Sequence, residues 1–175
     1  APKVEEIKRL RLAGRLPSVI RIPVVVHVIH NGQPVGVAPN ITDSQIESQI
    51  TVLNQDFRRL LGTPGYNTNP VGADVEIEFC LAQRDPNNQP SNGINRVNLG
   101  TASYNTISSV NNNVKPQTQW DPNKYLNLWS VNLGGGLLGY AQFPGLAPET
   151  DGVWLGYKFI GNNGTAISPY NLGRT

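Results

Sequence analysis

The chain has 175 residues, of which 15% are charged, with 18 Gly, 14 Pro and one Cys. That is enough for one domain with a real core. No apolar run approaches the roughly 20 residues that span a bilayer, which argues against a membrane span. The net charge of +2 is uneven, with residues 1–21 carrying +4 and residues 22–175 carrying −2. No basic stripe continues beyond the head, so a nucleic-acid partner is not expected. Aromatic and β-branched residues accompany the abundant Gly, Pro and Asn, a composition that suits a loop-rich extracellular protein rather than a disordered one. No secretory h-region is present, so any signal peptide is expected to have been removed already.

Residues 1–19 form a basic head. Val4, Ile7 and Leu10 make a short helical stripe that Gly14 and Pro17 end. The head reads as a solvated terminal segment, or as the end of a removable pro-segment with Arg9, Arg11, Arg15 and Arg21 as exposed cleavage points. Ile20–His30 follows as a strand, with Val24–Ile29 apolar on both faces apart from His27, the pattern of a strand covered above and below. Thr42 caps the next element and Gln45 is placed to complete a capping box, with Ile41 and Ile46 as a hydrophobic staple. Ile46, Ile50, Leu53, Phe57 and Leu60 share one face, so a helix is expected over Thr42–Leu61, ended by Gly62 and Pro64.

Val75–Gln83 alternates as a strand with one wetter face bearing Glu76, Glu78 and Cys80. The two glutamates share a face and read as a solvated surface more readily than as paired catalytic carboxylates. Cys80 has no disulfide partner and is expected to be a buried, inert thiol. Residues 84–119 read as surface loop, apart from a short extra strand at Gly93–Val97. Strands are then expected at Tyr125–Leu133, Leu137–Phe143 and Gly152–Tyr157, with Gly134–Gly136 as a joint and Gly161–Gly164 as a turn. Asn40-Ile41-Thr42 and Asn163-Gly164-Thr165 match the N-glycosylation pattern, which arises often by chance in an Asn-rich chain.

The order strand, long helix, then strands indicates an α/β layer whose first connection joins parallel strands. Five strands about 4.8 Å apart make a sheet roughly 20–25 Å wide, more than one helix about 10 Å across can cover. The first strand is apolar on both faces, so a further long helix is expected after Thr175, making residues 20–175 the first part of a larger domain.

A hydrolytic metal site needs about three converging ligands. His27 and His30 stand on opposite faces of their strand and cannot share an ion; each reads as a packed or rim residue. No nucleophile elbow or phosphate loop appears, so these residues hold no complete active site. The remaining candidate is the stretch after the glycine joint. Leu138, Gly139, Tyr140, Ala141, Gln142 and Phe143, at a sheet edge, would offer backbone groups to an extended peptide, and Gly139 would let its backbone approach. The same residues also read as an ordinary edge hairpin. On the first reading, Tyr140→Pro removes one donor to substrate.

Ile22–Val28, Ile41–Arg59, Asp74–Leu81, Trp120–Gly145, Asp151-Gly152-Val153 and Asn171–Thr175, in this order, resemble the pappalysin-type (cytophagalysin) zinc metalloendopeptidases of the metzincin clan. The resemblance implies a metzincin-like upper subdomain: a twisted, mostly parallel five-stranded sheet with an antiparallel edge strand and a long backing helix. It implies that Leu138–Phe143 is the cleft rim, binding a peptide or protein substrate antiparallel. It also implies that Gly173-Arg174-Thr175 leads into a zinc helix, H-E-x-x-H-x-x-G-x-x-H, carried by a C-terminal part of the same protein. Zinc is then the expected cofactor, with calcium as a second candidate ion, and the complete protein is a secreted endopeptidase using a metal-activated water. The alternative of a different class is a non-catalytic secreted module for peptide binding or assembly.

Overall fold

The computed structural model describes residues 9, 10, 12–14, 19–143 and 145–175. The helical stripe expected at Val4, Ile7 and Leu10 lies outside them apart from Leu10, as do Arg11 and Arg15. Strand β1 (Ile20–His30) is the centre of the architecture, and Val24–Ile29 are all buried. Along one edge it pairs in parallel with β4 (Leu126–Val131), Val24–Val28 against Leu126–Ser130. Along its other edge lie two strands end to end, both parallel to it. β2 (Ile77–Leu81) covers Ile20–Val24 and β3 (Ile94–Asn98) covers Val26–His30. Hydrogen bonds from Ala82 N to Val24 O and from Val26 N to Gly93 O close the seam between them. The sheet is therefore five strands wide but built from six. β6 (Val153–Gly156) pairs in parallel with β4, and β5 (Gly139–Ala141) forms the antiparallel edge beyond it.

Helix α1 (Asp43–Phe57) covers the first face, where Ile46 and Ile50 pack in one cluster with Val24, Val26, Val28, Phe79 and Leu128. Ile41 and Ile46, the expected staple, are both fully buried in it. The capping box is not formed. Thr42 Oγ1 accepts from Gln45 N, but the Gln45 side chain points inward. Its Nε2 donates to the carbonyls of Tyr157 and Ile160, and its Oε1 accepts from the backbone and hydroxyl of Thr165. Gln49 repeats the device four residues later, donating to Gly173 O and accepting from Gly161 N, and Asp56 pairs with Arg174 at 2.7 Å. This polar row straps residues 157–174 to α1.

The helix stops earlier than expected. Arg59 takes a left-handed conformation (φ 44°), with Leu60 N bonded to Gln55 O and Arg59 N to Asp56 O. That is a Schellman ending with Arg where Gly is usual. The Arg59 guanidinium, bonded to the carbonyls of Asn67, Asn69 and Gly72, offsets the backbone cost. Leu60 is consequently exposed rather than part of the apolar face.

The second face is closed from the stretch read as loop. Helices α2 (Ile107–Asn113) and α3 (Lys115–Thr118) place Val110 and Val114 over Ile29, Trp129, Val131 and Trp154. Residues of this chain thus cover both faces of β1, and the coverage argument for a further helix does not hold. No member of the second cluster comes from β2, so Cys80 is exposed instead of buried. Among the described residues no helix is long and apolar enough to cross a membrane.

Gln45→Met keeps the bulk of the side chain but leaves the buried carbonyl of Ile160 without its donor. The expected cost is about 2–4 kcal/mol of stability, read as a lower urea midpoint with an unchanged slope.

Candidate peptide-binding edge

Among the described residues β5 has one strand neighbour, β6, and its other side is the end of the sheet. Tyr140 stands opposite Trp154, Gly139 opposite Leu155 and Ala141 opposite Val153. The bonds from Gly156 N to Leu138 O and from Gln142 N to Gly152 O fix the parity of this ladder. Backbone groups of Leu138, Tyr140 and Gln142 point into the sheet, and those of Gly139, Ala141 and Phe143 point out of it. The Tyr140 N–H is therefore a donor to β6, not to a peptide, and the expected effect of Tyr140→Pro on substrate is corrected to an effect on the sheet.

The role of Gly139 changes as well. A Cβ there would lie 2.5 Å from Leu155 Cδ2 and 2.6 Å from Trp154 O, so glycine is required by contact with β6 rather than by an incoming backbone. The Gln142 side chain is already engaged, donating to Ala147 O and accepting from Thr150 Oγ1. Phe143 is 83% exposed, and the Tyr140 ring lies 5.7 Å from that of Trp154. An open groove of about 310 Å³ runs beside the strand, lined by Leu138–Ala141, Val153, Leu155 and Thr175.

The other sequence candidates do not converge here. His27 is fully buried and stacked on Trp129 at 5.1 Å. Its Nε2 lies 2.8 Å from Asn127 Oδ1 and its Nδ1 3.0 Å from Asn95 Nδ2. The neutral ring thus donates to Asn127 and accepts from Asn95, joining β1 to β4 and β3 with no lone pair left for a metal. His30 Nδ1 accepts from Gly32 N. Glu78 is held by Arg58 (2.5 Å) and Arg21 (3.3 Å). Glu76 precedes β2 in a left-handed conformation (φ 57°) and does not share a strand face with it. Asn40 is buried, with its side chain bonded to Gln33 O and Arg96, so the first glycosylation match is closed, whereas Asn163 is exposed.

Among the described residues no group of three or more His, Cys, Asp or Glu is placed to hold a metal ion. These residues do not fit a zinc site, and no step through zinc is assigned to them.

Solved structures resembling the chain are proteases. Mature mirolysin of Tannerella forsythia, in complex with a cleaved peptide, matches with 43% identity over 91% of this chain and 60% of its own, with a TM-score of 0.77. The chain is mirolysin-like. Mirolysin in complex with a small compound matches with 44% identity over 90% of this chain and 60% of its own, TM-score 0.77. A variant of Tannerella forsythia promirolysin matches with 41% identity over 98% and 59%, TM-score 0.76. Mirolysin is a pappalysin-like metzincin, so the family resemblance and the α/β class read from the sequence both hold. The chain spans about 60% of the length of these mirolysin structures. No protein-family model and no curated protein sequence matches it.

Burial lowers His27 from 6.5 to about 4. Between those values the unfolded chain binds a proton that the folded chain does not, so stability falls as pH drops from about 6.5 to 4, then levels off. The expected loss from this residue is about 3 kcal/mol, and urea unfolding of a His27→Gln variant should show a flatter profile across this window.

Proposed function

We propose that this chain is part of a secreted zinc-dependent endopeptidase, in which β5 is the upper rim of the cleft and aligns an extended peptide antiparallel to itself. The observation that carries the reading is the free side of β5, where groups of Gly139 and Ala141 point out of a sheet built like that of mirolysin. Mirolysin is known with a cleaved peptide bound, and a sheet edge is the kind of surface on which an extended peptide can be held independently of its side chains. Each backbone bond contributes about 0.5–1.5 kcal/mol net, so a few of them orient a substrate without demanding a particular sequence. The exposed Phe143 and the half-exposed Tyr140 add apolar surface beside that edge.

In this reading the described residues bind and orient. The zinc ligands and the general base are supplied by other residues of the complete protein, and calcium is a second candidate ion. Residues 1–19 are then the remnant of a pro-segment, in line with the existence of a promirolysin, and residues 20–175 form the upper subdomain. Thr175 lines the groove along β5, beside the proposed rim.

The test uses the full-length protein. Bound zinc and chelator-sensitive cleavage of an unstructured peptide are expected; peptide binding with neither would favour the alternative of a non-catalytic binding or assembly module. Ala141→Pro removes an outward N–H while leaving the β6 ladder intact. It should raise KM for extended peptides about fivefold at unchanged kcat, matching one lost bond. Tyr140→Pro should instead lower the melting temperature. Equal KM in wild type and Ala141→Pro would show that substrate does not lie on this edge.

A further inference from the structure

Lys115 begins α3 and is fully buried, on the second face of the sheet. Its Nζ donates to Thr150 O at 2.5 Å and lies 5.1 Å from the centroid of the Trp129 ring. Thr150 ends the turn Pro148–Thr150, within the return that carries the chain from β5 to β6. That return is tied to the strand through Thr150 Oγ1, which donates to Gln142 Oε1 at 2.5 Å, and through Gln142 Nε2, which donates to Ala147 O at 2.8 Å. From the end of α3, Gln119 Nε2 adds bonds to Pro148 O and Asp151 O. β5 itself is three residues long, with one strand partner among the described residues. So short an edge strand takes its placement from the connection that follows it.

We propose that Lys115 is a positioning residue for the substrate edge, holding the β5–β6 return from inside the second core and thereby setting where the outward groups of Gly139 and Ala141 lie. This rests on β5 being the substrate rim. A buried ammonium is favourable only where strong partners replace water, and here a carbonyl, an indole face and the nearby charge of Asp151 serve. Burial lowers Lys115 from 10.5 to about 8, with Asp151 opposing the shift. Glu149 is the other acidic group of the return, and His27, on the same Trp129, is neutral above about pH 4. Loss of the charge above pH 8 weakens the bond to Thr150 and the contact with Trp129 without removing an atom, so pH alone should loosen the return.

The full-length protein is followed by amide exchange at Tyr140, whose N–H faces β6, and by KM for an extended peptide, in wild type and Lys115→Gln at pH 7 and 9.5. In wild type, Tyr140 protection, corrected for intrinsic exchange, should fall about tenfold and KM rise about fivefold over this range. Lys115→Gln should show the weakened values at both pH values. If Lys115→Gln does not fold, the wild-type series alone decides. Unchanged protection overturns the proposal. Lost protection at constant KM overturns the link to substrate and counts against the rim reading, while the hold on the return stands.

Discussion

A strand that is apolar on both faces has to be covered twice, and Val24–Ile29 impose that condition on the rest of the chain. One face receives α1 through Ile46 and Ile50, the other receives Val110 and Val114 of α2 and the residue that follows it. Both edges are used as well, since β4 occupies one side while β2 and β3 share the other. Burying six consecutive residues stabilises the sheet by roughly 1.5–3 kcal/mol for each large apolar side chain. The single polar residue in the run, His27, is tolerated because both ring nitrogens find amide partners on neighbouring strands.

The second core is organised by Trp129. Its indole stacks with His27, donates from Nε1 to Thr118 Oγ1, and receives the ammonium of Lys115. At Gly152 (φ 117°) a Cβ would lie 2.5 Å from the ring and 2.6 Å from Asn127 O, so the start of β6 passes directly against it. Through these contacts the middle of the sheet is mechanically continuous with the β5–β6 return. The first core has a different fastening, in which Gln45, Gln49 and Asp56 hold residues 157–174 by hydrogen bonds and an ion pair. Such bonds have directions as well as energies, so they specify a register that apolar packing would leave adjustable.

The similarity to mirolysin and the geometry of β5 bear on function from separate directions. Similarity relates the chain to mirolysin, a pappalysin-like metzincin, while the ladder parity identifies which backbone groups of the edge face outward. A family pattern cannot supply that parity, because Leu138–Phe143 look equivalent until β6 is set beside them. Tyr140 and Gly139 illustrate the point. Both were candidates for substrate contact, and both are committed to β6, one by its N–H and the other by the room its missing side chain leaves.

Much of the architecture was legible in the residues. The two-faced apolar run of β1, the Ile41–Ile46 staple, the alternation around Phe79 and the glycine joint before the edge all carry periodic signals that local physics reads directly. Helices α2 and α3 were not legible, because Thr106 and Ser109 close a capping box with Ser in place of Glu or Gln, and only Val110 and Val114 mark the buried side. Gln45, Lys115 and the exposure of Cys80 were equally hidden, since the carbonyls that the Gln45 and Lys115 side chains bond lie more than thirty positions away in sequence. The sequence by itself determined the strands and the long helix α1, because period and capping act over a few residues. Only the tertiary structure decided which edge is free, which groups point from it and which buried charge stands behind it, because those depend on pairings between distant segments.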